Sequence, residues 1–463
     1  MNTFIFDVGK TNVKAYVLDD VGKTLWERKV ANSGQTSKGY LSFDTDRLWD
    51  WLKMQLATAH RDIGFSRINV STHGACAALV DNDGALCLPV LDYEDAQPQE
   101  LADEYDEIRP KFADTLSPRL ELGLNLGLQL YWLKRRFSDE FDRCHAVLMY
   151  PQYWSYRLTG VLSSEVTSLG CHTDMWNPFA SSFSTLIDAL GLEGRMPPLV
   201  AATEPLGVIL PELADELALL PGLEVFPGVH DSNSGLARYL YADLATPYNV
   251  ISSGTWIITM AVGQLGGELD EARDTLANVD VLGQPIPCAR FMGGREFSLI
   301  TESLAGAQSE MSVAEHIDQL ALIVPPVVGD TGPFAGADAG VRLVCGEERK
   351  PVGDLASFNG LILATLYLAM MIDYELSMLG AKGPILFGST SSKNPLLCQL
   401  LAQLRPEQAV LMANDDASTV KGAWCLTRWV EPCPDDLNCF ERAQPSSFSG
   451  LSRYRNCWAK GLL

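Results

Sequence analysis

One pattern occurs twice in this 463-residue chain, about half a chain apart: a short strand, a turn of small and polar residues containing Gly and Thr, and a returning strand. The first copy runs from Phe4-Ile5-Phe6 through Asp7-Val8-Gly9-Lys10-Thr11-Asn12 to the alternating Val13, Ala15 and Val17. The second runs from Val250-Ile251 through Ser252-Ser253-Gly254-Thr255 into Trp256 to Val262. Apolar strands on either side of such a turn predict a β-hairpin. Two such hairpins, each opening half of the chain, predict two similar α/β domains, 1–243 and 244–463, with the boundary near Leu240 to Pro247. A duplication of this kind usually places a ligand in the cleft between the halves. Two unrelated hairpins would give a similar pattern, so the chemistry must be sought in the residues themselves.

The rest of the chain supplies the helices of an α/β fold. Asp44 or Thr45 caps a helix that carries Trp49, Leu52, Leu56 and Ala59 on one face. Arg67 to Val70 leads through Ser71-Thr72-His73-Gly74 into Ala77 to Val80, and Tyr153 to Leu158 fits a helix ending before Gly160. At 47% hydrophobic and 20% charged, the chain can bury more than one core. Its net charge of −23 disfavours nucleic acid and anionic membrane as partners, because both require a positive field. Gly360 to Ile372 is the most apolar stretch and is read as a buried core helix, since it is short for a membrane span and Asp373 follows at once. The opening residues lack the pattern of a secretory signal. Eleven cysteines without a C-x-x-C pair fit reduced thiols in a cytoplasm.

Five stretches could carry chemistry, one of them the second hairpin turn Ser253-Gly254-Thr255, which reads as a phosphate-facing turn or an ordinary hairpin. In the first hairpin turn, Gly9 lets backbone N–H groups approach an anion, Thr11 and Asn12 add donors, and Asp7 could hold a hydrated Mg²⁺. The same residues also make an ordinary polar turn. Gly9-Lys10-Thr11 is not the tail of a P-loop, because position 4 is Phe where that motif needs Gly. Asp231, in Gly228-Val229-His230-Asp231, could take a hydroxyl proton during phosphoryl transfer, or could simply cap the following helix. Gly388 to Asn394 joins a strand to a helix and suits a nucleotide at the helix N-terminus. Ala417 to Ala423 is a run of small residues that close helix packing explains equally well.

In order and spacing these stretches resemble the FGGY carbohydrate kinases, the sugar-kinase branch of the actin-like ATPases. The similarity rests on Asp7 to Thr11, Gly74 with the strand after it, Trp132-Leu133-Lys134, Tyr156 to Gly160, Gly228 to Asp231, Ser252 to Trp256, Gly388 to Asn394 and Ala417 to Ala423. It spans residues 1 to about 430. His230-Asp231 and Ser252-Ser253-Gly254-Thr255-Trp256 look most like the L-fuculokinase and L-rhamnulokinase subgroup, whereas His73-Gly74 looks like xylulokinases. The resemblance implies an α/β fold of two actin-like (ribonuclease H-like) ATPase domains flanking a central cleft. The N-terminal domain would carry the sugar site and the first phosphate loop, and the C-terminal domain the nucleotide site.

It further implies an ATP- and Mg²⁺-dependent phosphorylation of a small sugar, most readily a ketose such as L-fuculose, L-rhamnulose or a ketopentose. Asp231 would be the general base and Asp7 would lie near the metal. His73, Gly74, His230 and Asp231 would meet the sugar. Gly9, Lys10, Thr11, Asn12 and Lys14, with Gly254, Thr255, Gly388 and Ser389, would meet the nucleotide. The resemblance leaves room for a homodimer, and for a catalytically silent sugar- or nucleotide-binding regulator on the same fold. Three departures stand out. Lys10 replaces a small residue, a Gly-Gly-Gly reads Gly388-Ser389-Thr390, and a Pro-Lys reads Leu128-Gln129.

Overall fold

The computed structural model describes every residue except 266, 305–308, 330, 354, 389–393, 414–417, 461 and 463. The chain divides into two compact units, and they are not contiguous in sequence. The first comprises 1–243, 277–285 and 417–437, the second 244–276, 286–416 and 438–463.

The first unit is built on a seven-stranded mixed sheet. Its order runs Gly207–Val208, Glu224–Val225, Arg67–Thr72, Thr3–Val8, Asn12–Leu18 and Thr24–Ala31, with Val229–His230 also paired to Arg67–Thr72. Thr3–Val8 is antiparallel to Asn12–Leu18 and parallel to Arg67–Thr72, so the expected hairpin lies at the sheet's centre. A central strand is covered on both faces, which explains the unbroken apolar run Phe4-Ile5-Phe6. Phe4, Phe6 and Val8 face one core with Leu48, Leu52 and Leu56 of helix Thr45–Asp62, whose N-cap is Asp44. Ile5 faces the other with Val229, Ala237, Ala423 and Trp424.

That second face is closed by helices Asp231–Tyr241 and Ser418–Leu426. A Cβ on Gly422 would sit 1.6 Å from the Ser234 carbonyl oxygen, so only Gly allows the helices to approach this closely. Ser234 Oγ also donates to the Thr419 carbonyl at 2.7 Å. Close packing therefore accounts for Gly422 in the small-residue run, whose Ala417 lies outside the described residues.

The second unit's sheet repeats the scheme. Ile257–Val262 is antiparallel to both Tyr248–Ser253 and Pro285–Phe291, while Ile385–Phe387 and then Val410–Ala413 continue in parallel beyond Tyr248–Ser253. Phe440–Arg442 forms one edge. Three meandering strands followed by parallel ones is also the order of the first sheet, so the two hairpins occupy equivalent places. Helix Gly360–Met378, capped by the Asn359 side chain, runs through the core of this unit. It is long and apolar enough to cross a membrane, but 72% of it is buried inside the protein.

Candidate active site

Three parallel strands of the first unit finish level with one another. Asp7 lies opposite Ser71 and Val8 opposite Thr72, while Val229 and His230 flank the same two residues from the other side. The residues just past the carboxyl ends of these strands are therefore neighbours: the turn Gly9–Thr11, the turn His73-Gly74, and His230-Asp231. In open α/β sheets this end of the strands is where ligands bind.

The first turn is tight. Gly9 N–H donates to the Asn12 carbonyl at 3.0 Å, and a Cβ on Gly9 would meet that oxygen at 2.9 Å. Asn32, which the sequence reading missed, anchors the turn from the next strand. Its backbone N–H donates to the Thr11 carbonyl and its side-chain amide to the Gly9 carbonyl, both at 2.9 Å. Lys14 stands across the hairpin from Asp7.

Lys10 points elsewhere. Its ammonium is ion-paired with buried Asp92 and lies 3.1 Å from Glu94. It also sits 5.1 Å from the ring centres of both Phe43 and Tyr93. None of these four partners was singled out from sequence. For Asp92 and Glu94 the signal was a chemical demand, since a partly buried ammonium requires a carboxylate; nothing in the sequence pointed to the two rings.

Asp7 is the most perturbed acid of the group. Burial first, then the charge of Asp231, pushes its carboxyl up to about 7, against the opposing pull of Lys14. Among the described residues no hydrogen-bond donor reaches it. Asp231 begins helix Asp231–Tyr241 and keeps 36% of its side chain exposed. Its Oδ1 accepts from the Ser232 backbone N–H at 2.6 Å and lies 3.4 Å from His230 Nε2. Asp231 thus serves the helix start while leaving its other oxygen outside these contacts. Two half-buried carboxylates near each other suit a divalent cation that completes its shell with water and phosphate oxygens.

The two histidines are buried and held neutral, chiefly because burial disfavours the imidazolium. His73 packs among Phe43, Tyr93 and Tyr150. Its Nδ1 is 3.0 Å from the Gly74 carbonyl, which can only accept, so Nδ1 carries the proton. Nε2 of His73 and Nδ1 of His230 are buried without partners among the described residues. Buried polar atoms are rarely left so, and two at one sheet end mark this place as unusual. Gly74 has a steric duty: a Cβ there would lie 2.7 Å from His230 Nε2.

A further segment missed from sequence supports His230. Its backbone N–H donates to Thr167 Oγ1 at 3.1 Å, and Cys171 Sγ lies 3.6 Å from its Nε2. Other motif residues serve the scaffold. Trp132 donates to Glu100 at 2.7 Å, Lys134 to the Leu190 carbonyl at 2.8 Å, and Gly160 ends its helix in the left-handed conformation. Gln129 holds the Ala75 carbonyl at 2.7 Å.

In the second unit, Gly254 and Thr255 form the equivalent hairpin turn. Gly254 N–H donates to the Trp256 carbonyl at 2.8 Å, and Gly294, at the start of helix Gly293–Ser303, donates to the Thr255 carbonyl at 3.2 Å. Gly388 ends the neighbouring parallel strand and donates to the Ile251 carbonyl at 3.2 Å. Gly254, Thr255 and Gly388 therefore share one sheet end. Ser389 and the rest of that loop through 393 lie outside the described residues. Arg290, paired with Asp274 at 2.8 Å, lies 4.8 Å over the Trp256 ring and fixes the far side of the turn.

Residues 3–237 match the profile of the N-terminal domain of the FGGY family of carbohydrate kinases, and residues 245–434 that of the FGGY carbohydrate kinase C-terminal domain. A carbohydrate kinase from Novosphingobium aromaticivorans, known by crystal structure, superposes with a TM-score of 0.86. It is 33% identical over 99% of this chain and 98% of its own. An L-fuculokinase of Salmonella typhi is 28% identical over 55% of each chain. A rhamnulokinase of Halalkalibacterium halodurans is 28% identical over 47% of this chain and 46% of its own. The chain spans about half the length of these curated relatives.

Proposed function

Because the chain belongs to the FGGY family of carbohydrate kinases, we propose that it transfers the γ-phosphoryl group of ATP to a hydroxyl of a small ketose, with Asp231 as general base. The observation that carries this reading is the level finish of three parallel strands, which sets Asp231 near enough to Asp7 to raise its pKa. A protein that merely bound a sugar would have no need to hold two mutually repelling carboxylates together.

Asp7 fits a Mg²⁺ ion: its carboxylate lacks a donor among the described residues and is crowded by a second acid. Bound there, the cation would neutralise charge on the phosphate oxygens of the nucleotide. In the first unit the turn Gly9 to Asn12 and Lys14 offer donors to phosphate oxygens; in the second, Gly254, Thr255 and Gly388 share one sheet end that suits a nucleotide. The sugar would lie against His73 and His230, with the accepting hydroxyl beside Asp231. As the new O–P bond forms, that hydroxyl becomes acidic and its proton passes to the Asp231 carboxylate. Neutral His230, 3.4 Å away, keeps the base from being paired with a fixed positive charge.

A ketose is favoured by the likeness to an L-fuculokinase and a rhamnulokinase. The test is ADP release with L-fuculose, L-rhamnulose, L-ribulose, D-xylulose and glycerol, for wild type and Asp231→Asn. At least one ketose should exceed glycerol by several orders of magnitude in kcat/KM, because polar groups matched to sugar hydroxyls are left unpaired by a smaller polyol. The substitution should lower turnover by ~10² to 10⁴. Binding of a ketose and ATP without any ADP release would favour a silent regulator. Glycerol equalling every ketose would overturn the substrate class.

A further inference from the structure

We propose that Glu165 and Thr167 are positioning residues for Asp231: the Glu165 carboxylate fixes the Thr167 hydroxyl, and Thr167 then grips the chain on both sides of Asp231. The inference rests on Asp231 being the base.

Glu165 is completely buried and precedes the short helix Val166–Leu169. Its carboxylate accepts from the Thr167 backbone N–H at 3.1 Å and from the Thr167 hydroxyl. Capping a helix of one turn does not require a buried glutamate, since Ser, Thr, Asn or Asp does so with less charge to bury. What the carboxyl adds is direction, because the oxygen beside Thr167 accepts whether or not the other oxygen carries a proton. A threonine hydroxyl has one proton to give and lone pairs to offer. With the proton committed to Glu165, Oγ1 must present a lone pair, and it receives the His230 N–H at 3.1 Å.

Thr167 acts on the other side of Asp231 as well. Its carbonyl accepts from the Asn233 side chain at 3.2 Å, in the first turn of helix Asp231–Tyr241. Cys171, just past the same short helix, reaches His230 Nε2 at 3.6 Å. Residues 230 and 233 are thus tied to 167, with Asp231 between them. The short helix is itself wedged, because a Cβ on Gly170 would lie 2.2 Å from Val279. A base held this way keeps its distance to the reacting hydroxyl, and a misplacement of about 1 Å costs ~10²-fold in rate.

The experiment compares Thr167→Val, Thr167→Ser, Glu165→Gln, Asp231→Asn and the double variant Thr167→Val/Asp231→Asn, on the sugar that the ADP-release screen selects. Thr167→Val should lower kcat ~10- to 100-fold and leave KM for sugar and for ATP within about threefold. Thr167→Ser should restore kcat to within about threefold. In the Asp231→Asn background, Thr167→Val should cost nothing further. Should Thr167→Val fail to fold, Glu165→Gln carries the same test, with a smaller loss of kcat because an amide oxygen still accepts from the hydroxyl. Wild-type kcat in folded Thr167→Val, beside an inactive Asp231→Asn, would overturn the positioning role and leave the base in place. Wild-type turnover in Asp231→Asn would overturn both.

Discussion

Replacing Gly74 by Ala tests whether the glycine exists to admit His230. The added Cβ would stand 2.7 Å from His230 Nε2 and 2.9 Å from Cδ2, whereas ordinary contact begins at 3.4 Å. The overlap is therefore roughly 0.7 Å, too large for thermal adjustment in a packed interior. The imidazole has little room to retreat, being 5% exposed, with Asp231 at 3.4 Å and Cys171 at 3.6 Å from the same nitrogen. Either the ring turns or the end of strand Arg67–Thr72 moves, and overpacking of this kind costs ~1–3 kcal/mol. For a unit of this size that corresponds to a fall in Tm of roughly 2–10 °C. Because the displaced ring borders Asp231, kcat should fall at least about tenfold if Asp231 is the base proposed above, as expected when a reacting group is misplaced. Calorimetry and ketose-dependent ADP release measure the two effects. Gly353→Ala, where an added Cβ meets nothing within 4 Å, is the control and should change neither. Wild-type Tm and kcat in Gly74→Ala would refute the argument that Gly74 makes room for His230.

Glu165 is held at about 7 against an ordinary 4.5, because burial disfavours its charge. The folded state therefore keeps a proton that the unfolded chain releases, and stability from this group, worth ~3 kcal/mol, falls as pH rises from about 4.5 to 7. Glu165→Gln should flatten the pH dependence of the urea midpoint across that window, though not abolish it, since Asp7 is shifted in the same direction; an unchanged slope would show that Glu165 is already ionised in the fold. Gly422→Ala must force helix Ser418–Leu426 away from Ser234 and should cost at least about 2–3 kcal/mol, read as a lower Tm. Lys10→Met removes the partner of buried Asp92 and should cost ~1–3 kcal/mol. If the ammonium serves chiefly that carboxylate, KM for ATP will change less than about tenfold, while a larger rise would return Lys10 to the phosphates.

What the sequence made legible depended on whether local chemistry or distant partners decide a residue's role. The hairpins were readable because strand periodicity and turn residues act within ten positions, whereas the order of the remaining strands is set by pairings with distant segments such as Arg67–Thr72 and Val229–His230. Asp44 as a helix cap and Gly160 as a helix end belong to the same class as the hairpins, each set by backbone geometry within a turn; for Ala417 to Ala423 the sequence left packing and function open, and the close approach of Gly422 to Ser234 accounts for that glycine. Lys10 is the opposite case. Its turn was readable, but the direction of its side chain is set by Asp92, which lies 82 residues away and becomes its neighbour only in the fold. Glu165 and Thr167 were missed for the same reason. A glutamate two residues before a threonine is unremarkable as a string, and it becomes informative only when the carboxylate is wholly buried and the hydroxyl meets the amide of His230, 63 residues on. The return of 417–437 to the first unit was equally hidden, since nothing local in Ser418–Leu426 says which sheet it will cover. Motif residues can thus be read from local pattern, while the groups that hold them in place are distributed along the chain and are recognised only through the polar contacts that burial obliges them to make.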